Sequence, residues 1–359
     1  FAGIMPVVKQ LEDVALFLEG KQAAFQEHPF HLGDAIFRVG IKVGVAVFPT
    51  DGADAATLFK NAEAALKHAK ARGEPYLRYT PQMTEAVASK VTLENQLRLA
   101  LDRGEFVLYY QPKVDLATGT VTGAEALIRW NDPHTGLVPP AQFIPVLEET
   151  GLIHAVGRWA LRQAVSDYLR WRAAGLAVVR IAVNVSPLQL RNRNFIEEVR
   201  SAIGIDPFAP AGLELEITES LIMEDVKHSI ASLQSIRDMG LTVAIDDFGT
   251  GFSSLSYLSK FPVDTLKIDR SFVLDMTESP QGLALVSTII NLAHALKLKV
   301  VAEGVDSDDQ LRLLRVLGCD EMQGYLFSQP VPDTVFEALY LGGAPKVAVD
   351  IGIEASPKT

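Results

Sequence analysis

Seven short apolar runs punctuate the chain at 122–130, 180–186, 213–218, 241–246, 265–269, 299–303 and 321–327, each rich in Val, Ile and Leu and bounded by Gly, Pro, Ser or Asp. Their length and composition predict strands. Helical spacing covers 145–174, 195–203, 225–239, 283–296 and 307–317 between them. Strands that are apolar throughout and alternate with helices predict a parallel sheet covered on both faces. So many repeats of the unit favour an α/β, TIM-like (β/α)8 barrel over an open doubly wound sheet. The segments 106–114 and 121–130 flank a turn at 115–120 and read as a hairpin, whose antiparallel first strand would make the barrel irregular.

Each run also delivers a polar group: Glu125, Asn184, Glu216, Asp246 with Asp247, Lys267, Glu303 and Gln323. Barrel enzymes carry their functional residues where strands end, whereas an open sheet gathers ligands near one switch point. Taken singly, each group has a plainer role. Glu125, Leu127 and Arg129 share one face by period-two alternation, so Glu125 and Arg129 could simply be an ion pair. Asn184 could cap the next helix, Glu214 and Glu219 could be solvated, and Lys267 could pair with Asp269 on its own face. The run Asp246-Asp247-Phe248-Gly249-Thr250-Gly251-Phe252-Ser253-Ser254 is the sharpest local signal. Alone it could be a turn with an Asx cap. Alternatively, two adjacent carboxylates at a strand end can bridge two divalent ions, and the Gly and Ser residues after them give a mobile loop that Glu219 could anchor. A lysine buried among such acids, with metal-bound water and phosphate nearby, could orient or activate water.

Composition narrows the classes. The chain has 359 residues, is 48% hydrophobic and carries a formal net charge of −11, enough for about two domains and poorly suited to duplex DNA, RNA or anionic lipid. The one cysteine, Cys319, excludes an internal disulfide and a cysteine-rich zinc site, and fits a reducing, cytoplasmic compartment. The seven histidines show no metal-ligand spacing. The most apolar long segment, 283–302, is interrupted by Ser287, Asn291, His294, Lys297 and Lys299, so no membrane span is expected, nor a signal peptide.

The first eighty or so residues are organised differently: a helix at 7–26, a strand at 35–48, a turn at 49–52, an amphipathic helix at 55–72 and a short strand at 76–79. This segment resembles the C-terminal half of a GGDEF (diguanylate cyclase) domain through Phe1-Ala2-Gly3-Ile4-Met5-Pro6, Val43-Gly44-Val45-Ala46-Val47-Phe48-Pro49 with Asp51-Gly52, and Ala62-Glu63-Ala64-Ala65 with Ala69-Lys70 and Gly73. Lys42, Glu63, Lys67 and Glu74 depart from the Ser, Asp, Tyr and Asn expected there, which points to a degenerate domain. Its GTP-binding residues would lie before Phe1, so no cyclase activity is expected of this chain. A helix at 84–101 joins it to the remainder.

The remainder resembles the EAL-domain cyclic di-GMP phosphodiesterases. The resemblance rests on Gln111-Pro112, Glu125-Ala126-Leu127, Asn184-Val185-Ser186, Glu216-Ile217-Thr218-Glu219, Asp246-Asp247-Phe248-Gly249, Leu266-Lys267-Ile268-Asp269, Ala302-Glu303-Gly304-Val305 and Gln323-Gly324-Tyr325, in that order. Only Asp306 departs near the site, standing where the family often has Glu. The resemblance implies a barrel with an antiparallel first strand, two Mg2+ or Mn2+ ions, homodimerisation, and hydrolysis of cyclic di-GMP to linear pGpG. It assigns Glu125, Asn184, Glu216 and Asp246 to one ion and Asp246, Asp247 and Glu303 to the second. Lys267 would position the nucleophilic water, Arg129 would contact phosphate, and Gln111 and Leu127 would seat the nucleotide. Gln323 would support the metal-water network. The expected organisation is thus a partial GGDEF-like domain at 1–82, the barrel at 83–342 and a tail at 343–359, with a sensor domain upstream of Phe1. The rival reading is a catalytically silent receptor for cyclic di-GMP.

Overall fold

The structure, a computed structural model, describes residues 2–5, 11–27, 30–32, 35–37, 40–250 and 255–342. The chain divides into two compact units, Phe1–Asn95 and Gln96–Thr359. The expectations for Phe1 and for the 343–359 tail lie outside the described residues.

The first unit holds a helix at Leu11–Glu27 and an antiparallel pair, Phe30–Leu32 with Ala35–Phe37. Where one strand is expected over 35–48, two short ones form, Ala35–Phe37 and Val43–Val45, with residues 38 and 39 outside the description. Val43–Val45 pairs in parallel with Tyr76–Arg78, and helix Ala55–Ala71 connects them. Asp54 starts that helix by accepting a bond from the Thr57 amide at 2.9 Å. Gly44 lets strand and helix touch, since a Cβ there would stand 2.0 Å from the Ala62 carbonyl oxygen.

The second unit is a closed barrel of eight strands: β1 Phe106–Asp115, β2 Val121–Asp132, β3 Arg180–Asn184, β4 Leu213–Thr218, β5 Thr242–Phe248, β6 Thr265–Ile268, β7 Lys299–Glu303 and β8 Glu321–Gln323. Strands β2 to β8 are parallel to their neighbours, while β1 runs antiparallel to both β2 and β8 and closes the ring. The expected TIM-like barrel with a reversed first strand is what forms. Its entry hairpin is set by Asp115, whose Oδ1 accepts from the amides of Ala117 and Thr118, and by Gly119 at φ 70°.

Period two sorts every strand. One parity is apolar and packs outward against the helices: Leu213, Leu215 and Ile217 on β4, Val243 and Ile245 on β5, Leu266 and Ile268 on β6, Val300 and Ala302 on β7. The other parity fills the barrel and is unusually polar: Gln111 and Lys113, Glu125, Glu214 and Glu216, Thr265 and Lys267, Glu321 and Gln323 are all buried.

Three sequence expectations are corrected. The helix over 145–174 is two, Pro140–Thr150 and Ile153–Ala173, because Gly151 takes a left-handed conformation (φ 74°) that ends the first. The run 321–327 is a strand only to Gln323, since the next residue, Gly324, lies against the Val305 backbone, where a Cβ would be 2.1 Å from the carbonyl oxygen. Strand β3 stops at Asn184, and the cap of the following helix, Pro187–Arg191, is Ser186 rather than Asn184.

The barrel exterior is pinned at β1 by Tyr110, fully buried among Trp171 and Phe336. Its hydroxyl donates to Asp167 at 2.7 Å, an acid that also accepts from Arg170 and Gln163 at 3.2 Å each. Tyr110→Phe should therefore lower unfolding free energy by ~1–3 kcal/mol, the cost of stripping a buried acceptor of one donor. Urea denaturation measures it, and an unchanged midpoint would show that Arg170 and Gln163 alone satisfy Asp167.

Candidate active site

The inward parity converges on Lys267, midway along β6 and 0% exposed. A bare ammonium at that depth would be prohibitive, and four carboxylates from four other strands surround it. Its Nζ lies 2.5 Å from Glu303 (β7), 2.8 Å from Glu216 (β4), 3.1 Å from Asp246 (β5) and 3.8 Å from Glu125 (β2). Asp269, the plainer partner, instead caps helix Arg270–Glu278, its Oδ1 accepting from the Ser271 amide at 3.0 Å.

Glu125 is further held on both oxygens. Oε1 accepts from Asn184 Nδ2 at 2.6 Å and Oε2 from Gln323 Nε2 at 2.5 Å. Gln323 Nε2 also reaches Gln111 Oε1 at 3.0 Å, and Gln111 Nε2 donates to the Ser328 carbonyl at 3.0 Å. These amides therefore fix the carboxylate from one side and Lys267 faces it from the other. No ion pair joins Glu125 to Arg129 among the described residues. Arg129, half-buried beside half-buried Leu127, lies over the Tyr109 ring at 5.7 Å and donates to the Ile128 carbonyl at 2.9 Å. The structure leaves both outside the carboxylate cluster.

Electrostatics divide the acids. Burial pushes the Glu216 carboxyl up, but the ammonium groups of Lys113 and Lys267 outweigh it and hold the pKa at about 2. Burial also pushes Glu303 up, and the crowd of Asp246, Glu125 and Glu216 overcomes Lys267 to leave it at about 8. Glu125 and Asp247 are raised as well, burial being the main cause in each. Burial pulls Lys267 down, yet its four acidic neighbours hold it well above the ordinary lysine value. One lysine cannot satisfy all these carboxylates.

At the rim where β5 ends, Asp246, Asp247 and Glu303 each bring an oxygen within 4.8 Å of the other two. Asp247 takes a left-handed backbone, φ 53°, a conformation uncommon for non-glycine residues though more accessible to Asp than to most. Its amide donates to Asp246 Oδ1 at 3.0 Å. Two residues on, the Gly249 amide donates to Glu219 Oε2 at 2.7 Å, and Glu219 is buried. The loop expectation is described as far as Thr250; Gly251 to Ser254 lie outside the described residues. Asp306 accepts from Arg270 at 2.8 Å and from the Tyr325 amide at 3.0 Å, so the shorter acid is engaged.

The donor set suits a metal ion. It is all oxygen, the preference of hard divalent cations, and it is anionic in excess of its lysines. Gln323 Oε1 is in addition a buried acceptor without a hydrogen-bond partner, so the site has room for one more donor.

Sequence reasoning missed one residue of this cluster. Lys113, on β1, is buried one layer deeper, its Nζ 2.8 Å from both Glu214 Oε1 and Glu216 Oε1. The signal was present: Gln111 and Lys113 share the parity that points into the barrel opposite Glu125 and Gly123.

Comparison with known proteins agrees with this architecture. The EAL domain profile matches residues 94–330. A bifunctional diguanylate cyclase/cyclic di-GMP phosphodiesterase, MucR of Pseudomonas aeruginosa, is 40% identical over 305 residues, 85% of this chain and 44% of that protein. The cyclic di-GMP phosphodiesterase PdeR of Escherichia coli is 37% identical over 313 residues, 87% of this chain and 47% of that protein. The chain thus spans under half the length of these relatives. Among solved structures, the MucR phosphodiesterase in complex with c-di-GMP superposes with a TM-score of 0.66 at 42% identity, covering 68% of this chain and 99% of that one. The EAL enzyme Bd1971, bound to cAMP and cyclic-di-GMP, gives 0.67 at 34% identity, covering 80% and 76%. A reversed-strand barrel, an acid-ringed buried lysine and a matching profile over most of its length make this chain a member of the EAL domain family.

Proposed function

We propose that the chain hydrolyses cyclic di-GMP to linear pGpG with two divalent ions, Mg2+ or Mn2+. The observation that carries this reading is the uncompensated charge at the barrel mouth. Five carboxylates (Glu125, Glu216, Asp246, Asp247 and Glu303) face one ammonium group, Lys267, an excess of four formal negative charges that two divalent cations balance. The names of the relatives and the c-di-GMP complex of the MucR phosphodiesterase supply the substrate class.

In this reading Glu125, Asn184, Glu216 and Asp246 would hold one ion, and Asp246, Asp247 and Glu303 the other. When bound, such ions lower the pKa of water and neutralise charge on a reacting phosphate. The chain's own residues do the rest. Lys267, kept protonated by its acids, would hold the attacking water in place through its ammonium protons. Gln323 Oε1 would accept from a water at the site. Arg129 would contact a phosphate oxygen, with Gln111 and Leu127 seating the nucleotide. Glu219 would anchor the loop that follows Asp247 through the Gly249 amide. The 1–82 segment is read as the C-terminal part of a GGDEF-type domain, in keeping with its strand-helix-strand unit and the cyclase half of MucR's name.

The purified chain, incubated with cyclic di-GMP and Mg2+, should yield pGpG by chromatography, and EDTA should stop the reaction. Binding without turnover would replace the enzyme reading with that of a receptor. Glu125→Ala and Asp246→Ala should each lower kcat by on the order of 100-fold or more, comparable to losing one electrostatic contact to the reacting group; full activity in both would sink the ligand assignment.

If the acids serve chemistry, they should cost stability in the metal-free protein. Burial and neighbouring acids push the Glu303 pKa from the ordinary 4.5 up to about 8, so the folded state holds a proton that the unfolded chain has lost between those pH values. Stability attributable to this group is therefore full below about pH 4.5 and is lost as pH rises through 8. Glu303→Gln should raise the melting temperature in EDTA at pH 8.5 and leave it nearly unchanged at pH 4. A variant no more stable than the parent at pH 8.5 would show that the acids are not in conflict.

A further inference from the structure

Below the cluster the barrel interior continues as a stack of alternating charge. Glu214 lies at its base, its Oε2 accepting from the hydroxyls of Thr265 and Thr242 at 3.2 and 3.3 Å. Lys113 comes next, bridging Glu214 Oε1 and Glu216 Oε1 at 2.8 Å each. Glu216 then turns its other oxygen, Oε2, to Lys267 at 2.8 Å. All four charged side chains are buried. Neighbouring strands set this order, because Thr242 lies level with Glu214 and Ala244 with Glu216 in the β4–β5 register.

From this juxtaposition we propose that Lys113 is a positioning residue: by occupying Glu216 Oε1 from below, it presents Glu216 to the site through Oε2 alone, as a one-oxygen ligand. The inference rests on the metal-dependent reading above. A carboxylate free on both oxygens can rotate or bind a cation through both, and each costs the order that a two-ion site needs. Lys113 removes that freedom without touching ion or substrate. The pair Lys113–Glu214 is neutral overall, so it orients Glu216 without altering the net charge of the interior. Partners that orient metal ligands from behind typically carry 10–100-fold in metal affinity.

The test uses the charge-balanced double variant Lys113→Met/Glu214→Gln, which avoids stranding a buried acid. Calorimetric titration of the metal-free protein with Mn2+, together with the electron paramagnetic resonance spectrum of the bound ion, reads the site without turnover. The expected result is a folded protein, with melting in EDTA close to that of the parent, whose Mn2+ affinity is ~10–100-fold weaker and whose spectrum is broadened. Glu214→Gln alone keeps Lys113 on Glu216 and should bind Mn2+ within about twofold of the parent; it decides the matter if the double variant does not fold. Parental affinity and spectrum in the double variant, or a 10–100-fold loss in Glu214→Gln alone, overturns the proposal while leaving the phosphodiesterase reading intact. A parent chain that binds no Mn2+ overturns both.

Discussion

A lysine ammonium at the centre of a closed barrel is the constraint on which the rest depends. Lys267 can remain charged there because acids from β2, β4, β5 and β7 reach it, and the lysine in turn offsets part of their charge. The barrel is the geometry that brings four strands separated along the chain within one ammonium's reach, and its outward parity supplies the hydrocarbon core that a polar interior cannot. Stability and chemistry are thus carried by opposite faces of the same strands.

The balance is deliberately incomplete. Glu216 is held ionised between two lysines, whereas Glu303 is crowded enough to keep its proton near neutrality. Acids on one ring therefore answer to different neighbours and differ in whether they hold a proton near neutrality. The left-handed turn at Asp247 belongs to the same economy, because it places a third carboxylate beside Asp246 and Glu303 at a conformational cost of about 1–3 kcal/mol.

Most of the fold was legible because period two and period 3.6 alternate cleanly. Runs such as Leu213–Thr218 and Lys299–Glu303 match their strands to the residue. The errors have physical causes. Thr150-Gly151 looks like a tolerable interruption of helical spacing, but the left-handed glycine ends the helix. Past Gln323, a strand-like run is overridden by the close approach of Gly324 to Val305, a tertiary contact that no local pattern reports. In the site, the rim acids and Lys267 announced themselves as polar residues in apolar runs. Lys113 did not, since β1 carries Tyr109, Gln111 and Lys113 in alternation and reads as an ordinary half-exposed hairpin. Only closure of the ring turns that polar face inward. Asp269 misled in the opposite sense, sharing a face with Lys267 yet spending its oxygen on a helix start.

The reversal of β1 has a directional consequence. In a barrel whose strands all run one way, the chain enters at the floor, far from the reactive rim. Here Phe106 opens β1 opposite Trp130, near the end of β2, and the Glu105 carbonyl already holds the Asn131 amide at 2.8 Å. The polypeptide therefore joins the barrel on the side where the carboxylates gather, and its first turn back lies at the floor, at Asp115. The covalent connection into the ring from the residues before Phe106 is thus made at the rim side and not at the floor. Topology alone wires the entrance of this unit to its working end.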